Sequence, residues 1–295
     1  MRKILLCTIL FFILAGVLGA EKNYIMHIGH STVLIHLDNV NILTDPNWNG
    51  ENIILPRSNP PAVKLEDFPR IDAVLISHGH FDHLDVETLK ALHKQNKDIK
   101  YFLPQNLGGV LEEIGITNYL ELKGDRSVMY KGITIRPYQA RHSGTRYIFS
   151  SLDTSLAFCY LIKGSHTIFF SGDTGYTNLF KKIGEEERID VAFLEIQGWK
   201  VRKISNKGSE KDIPDSDLNR EKGYVYTGRH MHPEQAVEAF IDLRAKKFIP
   251  IHYDAFFVEF RGDVKILEVL REAARSKKIG DRLLFEKLGT KLYIK

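Results

Sequence analysis

Six consecutive positions, His78-Gly79-His80-Phe81-Asp82-His83, carry three imidazoles and a carboxylate. These side chains suit zinc, and also manganese or iron. The run directly follows Ile71-Asp-Ala-Val-Leu-Ile76, a continuous apolar stretch of buried-strand type. Side chains alternate along extended backbone, so His78 and His80 face the same way. Asp82 and His83 come where the chain turns into a helix, so they can face a second point. That arrangement suits two metals side by side. The chain has 12 His; three of them within six positions at a strand end is not what a polar loop with incidental histidines looks like.

Three further segments offer ligands of the right type. His142 follows a strand at Ile133–Tyr138, Asp173 follows one at Thr167–Phe170, and His252 closes one at Phe248–Ile251. Strand ends are where a rigid scaffold holds ligands well. Each alone reads more readily as structural. With the first cluster they complete a set of seven: His78, His80, Asp82, His83, His142, Asp173 and His252.

The elements that must hold this set alternate between strand and helix patterns. Tyr24–Ile28, Thr32–Leu37 and Val40–Thr44 read as strands, with Asp38-Asn39 as a tight turn. Helices are expected over His83–Gln95, Leu107–Ile114, Pro233–Leu243 and Val264–Ser276. Further strands are expected at Tyr101–Leu103, Leu156–Ile162, Val191–Leu194 and Leu292–Ile294. Lys203–Glu221 is polar and reads as a loop or excursion. No linker or low-complexity tract divides the chain, so residues 21–295 read as one domain with face-to-face sheets and outer helices. Asn41-Ile-Leu-Thr-Asp45 and Thr167-Ile-Phe-Phe-Ser-Gly-Asp173 each run as a strand into an Asp, a hint of internal duplication.

The 295 residues are 43% hydrophobic and 26% charged, ordinary globular values. Arg2 and Lys3 precede an apolar stretch from Ile4 to Leu18 that ends in Gly19-Ala20. This is the pattern of a signal peptide over residues 1–20, implying export; an uncleaved membrane anchor is the alternative. Loss of that segment lowers the net charge from +4 to +2. No basic stripe interleaved with aromatics is present, so nucleic acid is not the expected partner. Cys159 lies in an apolar strand and reads as buried and inert.

The order H-x-H-x-D-H, lone His, Gly-Asp-Thr-Gly, C-terminal His resembles the metallo-β-lactamase superfamily over nearly the whole chain after residue 20. That resemblance implies a four-layer αβ/βα sandwich, an α/β fold with the metals in the cleft between two sheets. It also implies that His78, His80 and His142 hold one metal, that Asp82, His83 and His252 hold the second, and that Asp173 bridges them. His27-Ile-Gly-His-Ser-Thr-Val-Leu-Ile35 and His230-Met-His-Pro-Glu-Gln-Ala-Val-Glu-Ala-Phe240 are similar to the branch containing N-acylphosphatidylethanolamine phospholipase D and ascorbate-6-phosphate lactonase. In that branch a His at the position of His230 points toward the reacting phosphate. Two places depart from its pattern: Ser143 follows the lone His in place of Trp, and Glu195-Ile-Gln-Gly198 stands in place of proline-isoleucine-glycine. Both lie near the substrate mouth in the family, so they bear on substrate identity.

The expected chemistry is hydrolysis by a hydroxide bridging two divalent metals, zinc in the first instance. No Gly-x-Ser-x-Gly elbow competes with it. Asp82 would orient the hydroxide and accept a proton, and His230 would serve the leaving side. Asp45 is expected to support a ligand imidazole. His30 either does the same or is a buried structural residue. His27, His36, His93 and His166 read as structural, and His232 is the weaker candidate of its segment. Trp48 and Phe257 either line an apolar pocket or belong to the core and rim. The expected substrate is a phosphodiester, small or lipid. The alternatives are a lactone or other cyclic ester, or a metal-binding protein without catalysis.

Overall fold

The computed structural model describes residues 21–48, 57–146, 156–198, 200–202, 218–221, 224–256 and 266–295. The leader expected at residues 1–20, most of the 203–221 excursion and Phe257 lie outside them. Among the described residues, no helix is long and apolar enough to cross a membrane.

The first half contains β1 (Tyr24–Gly29), β2 (Thr32–Leu37), β3 (Val40–Thr44), β4 (Ala73–Leu75), α1 (Val86–Gln95), β5 (Lys100–Pro104), α2 (Gly108–Glu112) and β6 (Tyr119–Leu122). The second contains β7 (Val128–Tyr130), β8 (Ile133–Gln139), β9 (Phe158–Lys163), β10 (Thr167–Phe170), α3 (Leu179–Glu186) and β11 (Val191–Glu195). A small sheet follows, from β12 (Lys200–Arg202), β13 (Leu218–Glu221) and β14 (Tyr224–Thr227). The chain closes with α4 (Pro233–Asp242), β15 (Lys247–Ile251), α5 (Ile266–Ser276) and β16 (Leu292–Tyr293).

The strands form a seven-stranded sheet, β16-β1-β2-β3-β4-β5-β6, and a six-stranded sheet, β15-β11-β10-β9-β8-β7. Strand alternation sorts the side chains between layers. Val33 and Ile35 of β2 join Ile135, Tyr160, Phe170 and Phe193 between the sheets. Leu34 turns outward to Leu89, Leu92 and Leu111 of α1 and α2. Phe169, Ala192 and Leu194 leave the second sheet on its far side, toward Phe180 of α3, Phe240 of α4 and Leu270 of α5. The order is helix, sheet, sheet, helix. Both faces of each sheet are covered, which is why the central strands read as unbroken apolar runs.

The suspected duplication is visible in the pairing. β1, β2 and β3 are antiparallel neighbours, and β3, β4 and β5 run parallel. β8, β9 and β10 are antiparallel, and β10, β11 and β15 run parallel. Asp45 and Asp173 end the equivalent strands β3 and β10.

Some boundaries differ from the sequence reading. Residues 80–84 form turns, and α1 begins at Val86 because Asp85 caps it, accepting from Glu87 N at 3.2 Å. Part of the expected 203–221 loop is strand β13, paired with β14. α3 was unexpected, as its amphipathic pattern is only eight residues long. Trp48 packs edge-on against Phe68 and donates Nε1–H to Val63 O at 2.8 Å, so it belongs to the outer core and not to a pocket.

Gly184 of α3 backs onto the end of α4, where an added Cβ would lie 2.1 Å from Asp242 O. Gly184→Ala therefore forces the helices apart, at a cost of about 1–3 kcal/mol. Thermal denaturation should show a melting temperature lower by several degrees; an unchanged value would contradict the close approach.

Candidate metal centre

All seven expected ligands meet at one end of the cleft. His78, His80, Asp82 and His83 follow β4; His142 follows β8, Asp173 follows β10, and His252 follows β15. The sheets are tied together there: Phe158 N donates to Ser77 O at 2.9 Å, and His252 N donates to His30 O at 3.0 Å. His30, Asp45 and His252 all have positive φ, 53°, 36° and 62°. Non-glycine residues adopt this conformation at a cost and cluster at functional sites.

Asp173 Oδ2 lies at the middle. It is 3.1 Å from His252 Nε2, 3.2 Å from His83 Nε2, 3.7 Å from His78 Nε2 and 3.8 Å from His142 Nε2. His78, His80, His142 and Asp173 form one group of converging ligand atoms. His30, Asp82, His83 and His252 form a second.

The supporting hydrogen bonds decide which imidazole nitrogen faces inward. His83 Nδ1 donates to Asp45 Oδ2 at 2.7 Å, and His142 Nδ1 donates to Arg229 O at 2.9 Å. Asp45 also accepts from Ser77 N at 2.7 Å and Ser77 Oγ at 2.6 Å; with that hydroxyl proton committed, Ser77 Oγ accepts from His78 Nδ1 at 2.9 Å. In the neutral imidazoles that a cation requires, the Nε2 atoms of all three are then lone pairs. His78 Nε2 and His142 Nε2 lie 2.9 and 3.2 Å from His80 Nδ1, a convergence that a cation satisfies. The buried atoms His83 Nε2, His252 Nε2 and Asp173 Oδ1 also lack hydrogen-bond partners among the described residues. The donor set fits divalent metal of the zinc, manganese or iron class.

Asp45 and His30 thus act as supports. His30 Nε2 is 3.1 Å from Asp82 Oδ2, and its carbonyl accepts from His27 Nε2 at 2.9 Å. His27, read as structural, holds this turn; burial pulls it down to about 4, so it is neutral at physiological pH. Two further residues brace the 79–84 segment. Arg146 donates to Gly79 O at 3.1 Å and Leu84 O at 2.6 Å, and Asn47 Nδ2 donates to Asp82 O at 3.1 Å. Neither stood out in the sequence, since a lone Arg or Asn in a loop carries no signal of what it will reach.

His230 reaches the same place from beyond β14. Its Nδ1 is 3.8 Å from Asp173 Oδ2 and donates to Glu195 Oε2 at 2.8 Å, and its side chain is 25% exposed. His232 instead caps α4 in a capping box with Gln235. Glu195, expected at the substrate mouth, is 0% exposed and lies beneath His230. Gly175 keeps this segment close: a Cβ there would meet Gly228 O at 1.7 Å.

The cluster is electrostatically coupled. Burial would pull His83 down, but Asp173, Asp82 and Asp45 hold it well above its usual range. His252, likewise opposed by burial, is carried up to about 10, chiefly by Asp173. Burial would raise Asp82 and Asp173, but the surrounding imidazoles hold both well below the carboxylate range. His142 falls to about 3 through burial.

Residues 40–253 match the family described as "Beta-lactamase superfamily domain". The chain belongs to the metallo-β-lactamase superfamily. N-acyl-phosphatidylethanolamine-hydrolyzing phospholipase D 1 of Caenorhabditis elegans is 30% identical to this metallo-β-lactamase-fold chain over 268 residues, 83% of the chain and 69% of the relative. An uncharacterised protein of Mycobacterium tuberculosis is 30% identical over 249 residues; the match spans 80% of this chain and 60% of that protein. A metal-dependent hydrolase of Bacillus cereus is 29% identical over 252 residues, 82% of this chain and 91% of the relative. The fold is shared with Igni18, a metallo hydrolase of Ignicoccus hospitalis, at TM-score 0.67 and 21% identity over 93% of this chain and 99% of that one.

Two outcomes test the centre. In the metal-free protein, the raised imidazoles favour the fold fully below about pH 6.5, and this contribution is lost as pH rises toward about 10. The depressed carboxylates contribute above about pH 3.8 and lose their contribution below it. Metal requires deprotonated imidazoles, so its affinity rises over the same upper window. The gap in melting temperature between zinc-loaded and chelator-stripped protein should widen from pH 6.5 to 9; a constant or narrowing gap would count against this coupling. Asp45→Asn should weaken zinc binding about 10–100-fold in competition titrations, because it removes the anchor of His83.

Proposed function

We propose that the chain hydrolyses a phosphodiester with two divalent metals, zinc in the first instance. The two-metal count rests on the ligand groups. A third group, Asp173, Glu195, His230 and His252, shares Asp173 and His252 with the other two. One imidazole nitrogen cannot serve two cations at once, so the third group does not add a third metal. His78, His80 and His142 would hold one cation and Asp82, His83 and His252 the other, with Asp173 between them. When bound, the cations would lower the pKa of water and neutralise charge growing on the phosphoryl oxygens.

The observation that carries the phosphodiester reading is the placement of His230. It stands beside Asp173 with Nδ1 taken by Glu195, and Nε2 has no hydrogen-bond partner among the described residues. A group so placed can pass a proton to an oxygen leaving from phosphorus. Asp82, held by His30, orients the attacking water. A cavity of about 260 Å³, lined by Ala140, Arg141, His142, Ser143, Gly228 and Arg229, opens beside the centre. The two arginines among its lining residues favour an anionic phosphodiester over a neutral lactone. The C. elegans relative, named for hydrolysing a phosphodiester of a phospholipid, supports the same reading.

Zinc-loaded protein should cleave bis(p-nitrophenyl) phosphate faster than a simple γ-lactone, and Asp82→Ala should remove at least about 99% of that activity. Metal bound with no phosphodiester turned over would refute the proposal; faster lactone cleavage would replace it with the lactonase reading.

A further inference from the structure

Glu195 has no role among the seven ligands, yet a fully buried carboxylate beside a metal centre is costly unless its oxygens are used. Both are used, and differently. Oε1 accepts from the backbone N–H of Thr174, and Oε2 accepts from His230 Nδ1 at 2.8 Å. Ser171 Oγ fixes the strand end by accepting from Glu195 N at 3.0 Å. Ser171 and Thr174 flank Asp173, so the loop that presents the central carboxylate also clamps Glu195. Burial raises the Glu195 carboxyl, with His230 opposing.

We propose that Glu195 is a positioning residue that locks His230 in the tautomer with its proton on Nδ1, keeping Nε2 as the nitrogen that exchanges a proton with the substrate. This rests on the phosphodiester reading for its chemistry, but not for its geometry. In the step it serves, the water oxygen forms the new phosphorus–oxygen bond while the bond to the leaving oxygen breaks and its electron pair stays with that oxygen. Asp82 accepts one proton from the water, and His230, protonated at Nε2 before the step, passes that proton to the leaving oxygen and is left neutral with its proton on Nδ1. The products are a phosphomonoester and an alcohol. The Nδ1 proton stays on the Glu195 hydrogen bond throughout. A related arrangement orients the histidine of serine hydrolases, where an amide in place of the carboxylate selects the wrong tautomer.

The same logic makes Glu195→Gln a sharp test. Thr174 N–H can only donate, so the carbonyl oxygen of the new side chain must face it. The amide NH2 then faces His230 Nδ1, which must become an acceptor, and the proton moves to Nε2. Nitrogen-15 NMR of the imidazoles in zinc-loaded protein reads this directly, with His230 identified by its absence in His230→Asn. The wild type should show a protonated Nδ1, and Glu195→Gln an unprotonated Nδ1, with zinc content and melting temperature close to wild type. Glu195→Asp, which keeps the carboxylate, should retain the wild-type tautomer. An unprotonated Nδ1 in the wild type, or no change in Glu195→Gln, overturns the proposal whether or not phosphodiesters are substrates.

Kinetics give the second measure. Across aryl phosphodiesters with leaving phenols of increasing pKa, Glu195→Gln and His230→Asn should fall progressively further behind wild type, by about 100-fold for the poorest leaving group. A loss that is the same for every leaving group would mean the role is only structural. A wild type inactive on the whole series would instead refute the phosphodiester reading and leave the tautomer result to stand by itself.

Discussion

The structure depends on one buried carboxylate. Asp173 Oδ2 lies within 4 Å of imidazoles from four separate loops. A charge at that depth is tolerable only among groups that neutralise it. The surroundings therefore have to be exact in both sheets at once. Ligands from β4 and from β8, β10 and β15 converge because the two sheets are tied at this end by backbone hydrogen bonds. Metal and fold are coupled through the same atoms: the cations that the ligand set fits would relieve the proton-sharing that otherwise holds the cluster together.

The supports form a graded series around that carboxylate. Asp45, the equivalent of Asp173 in the other half, does not face the cleft; it turns to Ser77 and His83 and sets their orientation. Duplicate strands thus supply one acid at the middle of the ligand cluster and one that anchors an imidazole of that cluster. His30 and His27 do for Asp82 what Asp45 does for His83. The positive-φ residues at the site fall among these same groups, so backbone strain is concentrated where ligand direction matters most.

Metal chemistry and substrate choice are carried by different parts of the molecule. The ligands sit on strand ends inside the sandwich. The groups that would meet a substrate, His230, Arg141, Ser143 and Arg229, come from segments beside the cleft. This separation explains why departures from the family pattern gather at Ser143 and Glu195 while all seven ligand positions are filled.

How much was legible in the sequence follows from the range of the interactions. The ligand run of residues 78–83 is local, and its apolar strand and alternating side chains could be read from spacing alone. The central strands were also legible, because burial on both faces writes them as apolar runs. The helix start at Val86 was displaced because a single capping residue, Asp85, outweighs the periodic pattern before it. Glu195 is the clearest case of what only the tertiary structure decided. In sequence it is an acid at a strand end, as exposed residues often are; in the fold it is fully buried under His230, 35 positions away. Which nitrogen of His230 carries the proton depends on that long-range contact and on the direction of one backbone N–H. The sequence by itself determined that metal ligands exist and where their strands lie. Their tautomers, their supports and the role of Glu195 were decided by which loops the two sheets bring together.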